Sequence, residues 1–333
     1  LTLTLGGRWT NDRKRGTYAQ ASSPFTQTLR APEVLNYPGL SESRFTYRVS
    51  LNYKPIDDVM LFATHSTGYK SGGYNSGGGV PSLSTFDPNG NLISTRRLFD
   101  RETVKNYELG IKSSWLDRAL TANLTFYRMD IAGFQDRAFD GVSFVVRNAG
   151  NLRQQGVELD LVMAPSDHFS VSSSLAYLDS KFTDFTTASN LPGLGGTQDL
   201  TGTPNSFSPK WSGNIGVDWN GEIGSSGLGW AANANVSFVS DQYVGTVNDG
   251  NSQSIADGYA LLGARVTLNG PDDRWSLSVF GRNLSNTHYR PLAVYQPLGG
   301  ALGLNNTVFP GSTGNRVMAS EPRSYGISGT LRF

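Results

Sequence analysis

Residues 45–53 read FTYRVSLNY, and residues 54–64 continue KPIDDVMLFAT. Phe45, Tyr47, Val49, Leu51 and Tyr53 occupy alternate positions, with Thr46, Arg48, Ser50 and Asn52 between them. Successive side chains of a strand point to opposite faces, so this stretch makes one apolar and one polar face. The KPIDD segment brings the Pro and Asp residues that tight turns need. A strand, a short turn and a second strand follow.

The same period recurs along the chain. Leu1, Leu3, Leu5 and Trp9 alternate with Thr2, Thr4, Arg8 and Thr10. Tyr107, Leu109, Ile111 and Trp115 enclose Glu108, Gly110, Lys112 and Ser114. Leu120, Ala122, Leu124 and Phe126 alternate with Thr121, Asn123, Thr125 and Tyr127. Val157, Leu159, Leu161 and Met163 enclose Glu158 and Asp160. Trp211, Ile215, Val217 and Trp219 enclose Ser212, Asn214 and Asp218, and Trp275, Leu277 and Val279 enclose Ser276 and Ser278. A soluble β-sandwich also alternates. Two features favour a membrane wall. The runs are about 10 residues long, the length of a tilted strand crossing a bilayer. Trp9, Tyr53, Trp115, Tyr177, Trp211, Trp219, Trp230 and Trp275 also gather at run ends, as interfacial girdles do.

Connections alternate in length. Short ones fall at 54–58, 116–118, 165–168, 220–227 and 270–273. Long ones, rich in Gly, Ser, Asn and Pro, fall near 11–42, 68–102, 132–150, 184–208, 241–256 and 285–321. Outer-membrane barrels distribute periplasmic turns and extracellular loops in this way. The reading is all-β: an antiparallel transmembrane barrel wall of about twelve strands. Leu109, Ile111, Leu124, Leu159, Val217 and Leu277 are expected to face lipid. Arg48, Glu108, Lys112, Glu158, Asp160, Arg265 and Arg282 are expected to face the lumen.

Composition narrows the function. The 333 residues carry 28 Lys plus Arg against 27 Asp plus Glu, without the basic footprint of a nucleic-acid partner. There is no Cys, which removes disulfides, thiolate metal sites and Cys nucleophiles. No apolar run reaches the length of a transmembrane helix. No secretory signal opens the chain, so the expectation is a mature protein or a fragment of one.

Catalytic and metal signals are weak. His65, His168 and His288 are the only histidines, and none share metal-ligand spacing. His168 before Ser170, and His65 beside Ser66, superficially offer a base and a hydroxyl, but no third group is evident. No catalytic residue, metal or cofactor is expected. Residues 87–91, DPNGN, faintly resemble an oxygen-rich Ca²⁺ loop, though an Asn-Gly turn explains them. Gly72, Gly73 and Gly77–79 lack the strand–helix context of a phosphate loop and are read as sources of loop freedom. Tyr69, Lys70, Tyr74, Arg96 and Arg97, with Arg101, form a basic and aromatic group suited to an anionic ligand. Solvated charges or contact with lipopolysaccharide phosphates are the alternatives.

Four segments, in order, resemble the barrel of TonB-dependent receptors. They are YKPIDDVMLFATHSTGYKSGGYN at 53–75, ETVKNYELGIK at 102–112, NAGNLRQQGVEL at 148–159 and FGRNLSNTHY at 280–289. The chain ends RSYGISGTLRF, where Tyr325, Ile327, Leu331 and the terminal Phe333 share a face. This resembles the C-terminal signal read by the barrel assembly machinery, with one departure: the usual small residue is Ser328 here, and the Gly stands at 329. The resemblance implies a 22-strand barrel, of which residues 1–333 form the C-terminal part. It implies a plug domain and a TonB box elsewhere in the full-length chain, since neither is recognisable here. An open half-barrel would leave two unpaired strand edges in lipid, so a longer chain, or closure as a smaller barrel, is expected. The implied function is uptake of a scarce ligand (an iron chelate, corrinoid or glycan) across the outer membrane, energised by the TonB complex. Lipid and lipopolysaccharide are the implied surroundings. A passive pore and, less well supported, a barrel lipase are the alternatives.

Overall fold

Each alternating run forms a strand, because period-two side chains satisfy both faces of an extended backbone. The computed structural model describes residues 1–21, 33–75, 98–139, 144–190, 197–295 and 315–333. Twelve strands form one sheet: β1 (Thr2–Gln20), β2 (Glu33–Ile56), β3 (Val59–Lys70), β4 (Glu102–Trp115), β5 (Leu120–Ala132), β6 (Asn151–Ser166), β7 (Phe169–Asp184), β8 (Trp211–Glu222), β9 (Gly229–Val239), β10 (Tyr259–Asn269), β11 (Trp275–Arg282) and β12 (Ser324–Leu331). Each pairs antiparallel with its sequence neighbour, and β1 and β12 are the two ends of the sheet.

Tight turns join β2–β3, β4–β5, β6–β7, β8–β9 and β10–β11, and long segments make the other connections. The β4–β5 turn needs three consecutive left-handed residues, Leu116, Asp117 and Arg118, with φ of 55°, 53° and 72°. Its closing bond runs from the Ala119 amide to the Leu116 carbonyl at 2.9 Å. No helix among the described residues is long and apolar enough to cross a membrane.

Two boundaries differ from the expectation. Residues 11–20 and 33–42, read as loop, are strand: Asn11 pairs with Ser43, and pairing continues to Gln20 with Glu33, with one register shift between Lys14 and Gly16. Residues 11–17 carry no apolar side chain, and Val34, Leu35, Tyr37 and Leu40 fall out of period two, so periodicity does not mark this extension. The long connections also contain short antiparallel strand pairs, at 73–74 with 98–99, 135–139 with 144–148, 188–189 with 197–198, 242–243 with 255–256, and 293–295 with 315–317.

The register fixes the two faces. Leu61, Ile111 and Leu124 lie on one line, and Ala63, Leu109, Phe126, Val157 and Tyr177 on the next line toward the long connections. Leu109, Trp115, Phe126, Trp211, Trp219 and Leu277 are exposed on this apolar face. Tyr107 and Trp115 in β4, and Trp211 and Trp219 in β8, are each eight positions apart. That is about 26 Å along a strand and about 20 Å along the membrane normal at barrel tilt, close to the height of an outer-membrane apolar band. Trp219 meets Trp230 edge-on at 5.2 Å, and Tyr177 meets Trp211 at 4.9 Å, at opposite borders of the band.

Candidate functional site

The polar face carries the seven charged residues expected there. Arg48 pairs with Ser66; Glu108, Lys112, Glu158 and Asp160 lie on one face with Thr125 and Asn123; Arg265 pairs with Phe280, two residues before Arg282. Asp160 accepts from Ser174 Oγ at 2.6 Å, and Glu108 from Asn106 Nδ2 at 2.7 Å. Small residues fill much of the rest, and Ser50, Thr64 and Ser278 are buried there.

Aromatic rings also sit on this face, which alternation alone did not reveal. Phe62 lies over Gly110, and Phe280 over Gly326, each pair directly opposite in register. A Cβ on Gly110 would come within 2.5 Å of the Phe62 ring, and one on Gly326 within 2.3 Å of Phe280. Cations cover both rings. Lys112 Nζ is 5.8 Å from the Phe62 centroid, and the Arg265 and Arg282 guanidinium carbons are 4.7 and 5.8 Å from Phe280. Arg265, Phe280, Arg282, Asn235, Tyr289 and Glu321 line a groove of about 350 Å³. A second, of about 490 Å³, runs past Glu158, Asp160, Ser174, Asn214 and Tyr259.

At the end bearing the long connections the polar face becomes apolar. Ile131, Leu152 and Phe182 are buried with Ala149, Phe185, Ala188 and Leu200. Phe134 and Ala149, from the connection after β5, and Phe185, Ala188 and Leu200, from the connection after β7, therefore pack over this face of the wall. Phe182 packs on Phe185 at 4.7 Å and edge-on against Phe134 at 5.8 Å.

The connections also bond to one another as a rim. Gln135 accepts no slack: its amide donates to Glu102 at 2.7 Å, and its side chain to the Ser71 and Asp100 carbonyls at 3.1 and 3.0 Å. Asn75 exchanges two 2.7 Å bonds with the Val146 backbone. Asn248 donates to Asp136 at 2.8 Å and accepts from the Ser206 amide at 3.0 Å. Arg290 donates to the Gln253 and Ile255 carbonyls. Burial raises the pKa of Asp249, whereas bonds from Thr201 lower that of Asp199.

Of the basic and aromatic candidates, Tyr69, Lys70, Tyr74 and Arg101 lie at this rim. Tyr69 donates to the Asp12 carboxylate, which raises the pKa of its hydroxyl. Tyr74 stacks on Tyr37 at 4.6 Å and donates to the Lys14 carbonyl at 3.1 Å. Lys14 Nζ in turn reaches Ser71 Oγ at 2.6 Å. Lys70 is exposed at the end of β3, and Arg101 stands 3.9 Å from Glu42. Arg96, Arg97, Gly77–79 and residues 87–91 lie outside the described residues. Gly72 and Gly73, read as flexible, are instead points of close approach. A Cβ on Gly72 would lie 2.5 Å from the Phe99 carbonyl, and one on Gly73 2.6 Å from the Phe99 ring.

His65 packs on Tyr107 at 4.5 Å, with its ring nitrogens at Tyr47 Oη (3.1 Å) and the Asn106 carbonyl (3.0 Å). Adjacent strand residues face opposite sides, so Ser66 lies across the wall from it. His168, in a tight turn, bonds Asn220 at 3.2 Å. Tyr325, Ile327 and Leu331 share the apolar face of β12 and are exposed, as is Phe333.

A family model described as TonB dependent receptor-like, beta-barrel, matches residues 1–284. The chain is 25% identical over 182 residues to the probable TonB-dependent siderophore receptor PiuA of Acinetobacter baumannii, covering 54% of this chain and 22% of that protein. It is 25% identical over 211 residues to the probable TonB-dependent receptor BfrD of Bordetella pertussis, covering 63% and 25%. Its fold matches that of the ferric yersiniabactin uptake receptor FyuA from Yersinia pestis, with a TM-score of 0.72 at 20% identity over 99% of this chain and 43% of that one. The siderophore receptor PiuA structure from A. baumannii gives 0.68 at 18% identity over 98% and 40%. The chain thus spans about a quarter of the length of these curated relatives.

Proposed function

We propose that this chain, which belongs to the TonB dependent receptor-like β-barrel family, forms part of the wall of a receptor that imports a scarce ligand using energy delivered by TonB. It is an outer-membrane protein, and its family is one of receptors rather than enzymes. The observation that carries the proposal is the polar face. Its small side chains leave wide grooves beside Arg265, Arg282, Glu158 and Asp160, a surface suited to contact with a separate domain and with water rather than to a self-filled interior.

On this reading residues 1–333 are the C-terminal part of a 22-strand barrel. A plug domain of ~100–150 residues and a TonB box belong to the same full-length chain, and the plug rests on the seven charged residues. The ligand is an iron chelate, in keeping with relatives named siderophore receptors, and corrinoids and glycans are the competing classes. Tyr69, Lys70, Tyr74, Arg96 and Arg97 contribute to its capture. Phe333 and the apolar face of β12 are the signal read by the barrel assembly machinery.

The test is accumulation of labelled ferric chelates by cells carrying the full-length gene, with and without TonB and with the proton gradient collapsed. Accumulation only with both intact is expected. Equal accumulation in all cells would establish a passive pore instead.

A further inference from the structure

The apolar face changes character over three successive register lines of β4–β7. The first is Leu109, Phe126, Val157 and Tyr177. The second, toward the long connections, is Tyr107, Arg128, Gln155 and Asp179. The third is Lys105, Asp130, Arg153 and Lys181. Lines on one face are two residues apart, or ~7 Å. Charge therefore begins within one line of the apolar band, on the side that faces lipid.

The charges are organised. Asp130 accepts from Arg128 Nε at 3.0 Å, Arg128 Nη2 at 3.3 Å and Arg153 Nε at 2.8 Å. Asp179 accepts from Lys181 Nζ at 3.0 Å and Gln155 Nε2 at 3.1 Å. Arg128, Arg153 and Lys181 thus bond two carboxylates, and Lys105 stands opposite Asp130 in register, a surplus of two positive charges over these six residues. Arg128 and Lys181 are nearly half exposed and Arg153 one-third exposed, and Lys105 is exposed. Exposed ion pairs add little to stability, so holding the fold does not account for this ladder. Guanidinium forks and ammonium groups suit phosphate oxygens. Four strands carry the cations across ~14 Å, wide enough to engage more than one phosphate.

We propose that Lys105, Arg128, Arg153 and Lys181 form a docking site for the phosphorylated sugar headgroup of an outer-leaflet glycolipid. Asp130 and Asp179 set the cation geometry, while Leu109, Phe126 and Val157 lie beneath against the acyl chains. The proposal rests on the outer-membrane reading of the apolar face, which heat-modifiable insertion of the full-length protein tests separately.

The experiment places the full-length receptor in nanodiscs and measures binding of bisphosphorylated lipid A, dephosphorylated lipid A, phosphatidylglycerol and inorganic phosphate. The variant combines Lys105→Gln, Arg128→Gln, Arg153→Gln and Lys181→Gln; Arg153→Lys alone keeps the charge and removes the fork. The expected result is binding of bisphosphorylated lipid A that weakens at least about tenfold in the four-site variant, with a smaller loss in Arg153→Lys. The native receptor should prefer this lipid to phosphatidylglycerol and to free phosphate. If the four-site variant inserts poorly, the Arg153→Lys result and the native preference still decide. Equal binding of phosphorylated and dephosphorylated lipid A, or unchanged affinity in Arg153→Lys together with no native preference, would overturn the proposal.

Discussion

Asp136 and Arg147 are register partners where residues 135–139 pair with 144–148; Asp136 is buried and Arg147 partly so, yet no hydrogen bond joins their side chains. Asp136 Oδ1 accepts from Asn248, whereas its Oδ2 and Arg147 Nε and Nη2 have no partner among the described residues. Burial pushes the Asp136 carboxyl up to about 6, against the opposing effects of Asn248 and the Arg147 charge. Burial likewise lowers the pKa of Arg147.

A group raised in the folded state contributes stability that is complete below its unfolded pKa and lost as pH rises through its folded value. For Asp136 the window runs from about 4 to about 6, and the loss is on the order of 3 kcal/mol. Amide protection at Gln135, Val146 and Ala149, corrected for intrinsic exchange, should therefore fall between pH 4.5 and pH 7. In Asp136→Asn this slope should vanish. Protection that rises over the same interval would show that the carboxyl is not held protonated by burial.

Gly110→Ala should destabilise the wall by about 1–3 kcal/mol. Its new Cβ would meet the Phe62 ring at 2.5 Å and the Leu124 carbonyl at 2.6 Å, and the backbone oxygen cannot turn aside. Gly329→Ala, with nothing within 4 Å, is the control. The gel temperature at which the folded band is lost should drop only in the first variant; equal values would remove the ring and carbonyl contact as the reason for glycine.

Deleting Phe333 should lower the amount of heat-modifiable protein in the outer membrane several-fold without changing synthesis. Tyr325, Ile327 and Leu331 present an exposed apolar row on β12 that ends beside it. Native levels of folded protein would mean that assembly does not read this terminus.

Lys70→Glu should weaken capture of an anionic ferric chelate by about tenfold, through repulsion at an exposed site. Tyr69→Phe removes the bond to Asp12 and should raise exchange in the 68–75 segment more than it weakens binding. Equilibrium binding and exchange on the full-length receptor separate the two. An unchanged affinity in Lys70→Glu would remove this residue from the capture surface.

The wall was readable in the sequence because lipid and water impose opposite demands on alternate residues. Leu109 beside Glu108, and Leu159 beside Glu158, each carry that contrast within two positions. Where water reaches both faces the contrast disappears, and the strand at 11–20 was lost from view. Phe62 and Phe280 were illegible for another reason: their place on the polar face depends on the glycine opposite, which lies 48 and 46 residues away. The rim depends on single bonds such as Asn248 to Asp136, across 112 residues, and no local pattern encodes such a distance. The short turns, set by local Pro, Gly and Asp chemistry, were found within a few residues.

The two kinds of connection give the two ends of the wall different evolutionary freedom. At the β4–β5 turn three left-handed residues close a single bond, and one inserted residue there would slide β5 against β4 and exchange its faces. A long connection leaves one strand and returns to the next without setting their register. Whole connections can then be lengthened, shortened or traded between relatives while the membrane-facing pattern stays intact. Divergence toward new ligands is free to accumulate at one end of the molecule, and the opposite end keeps the barrel in frame.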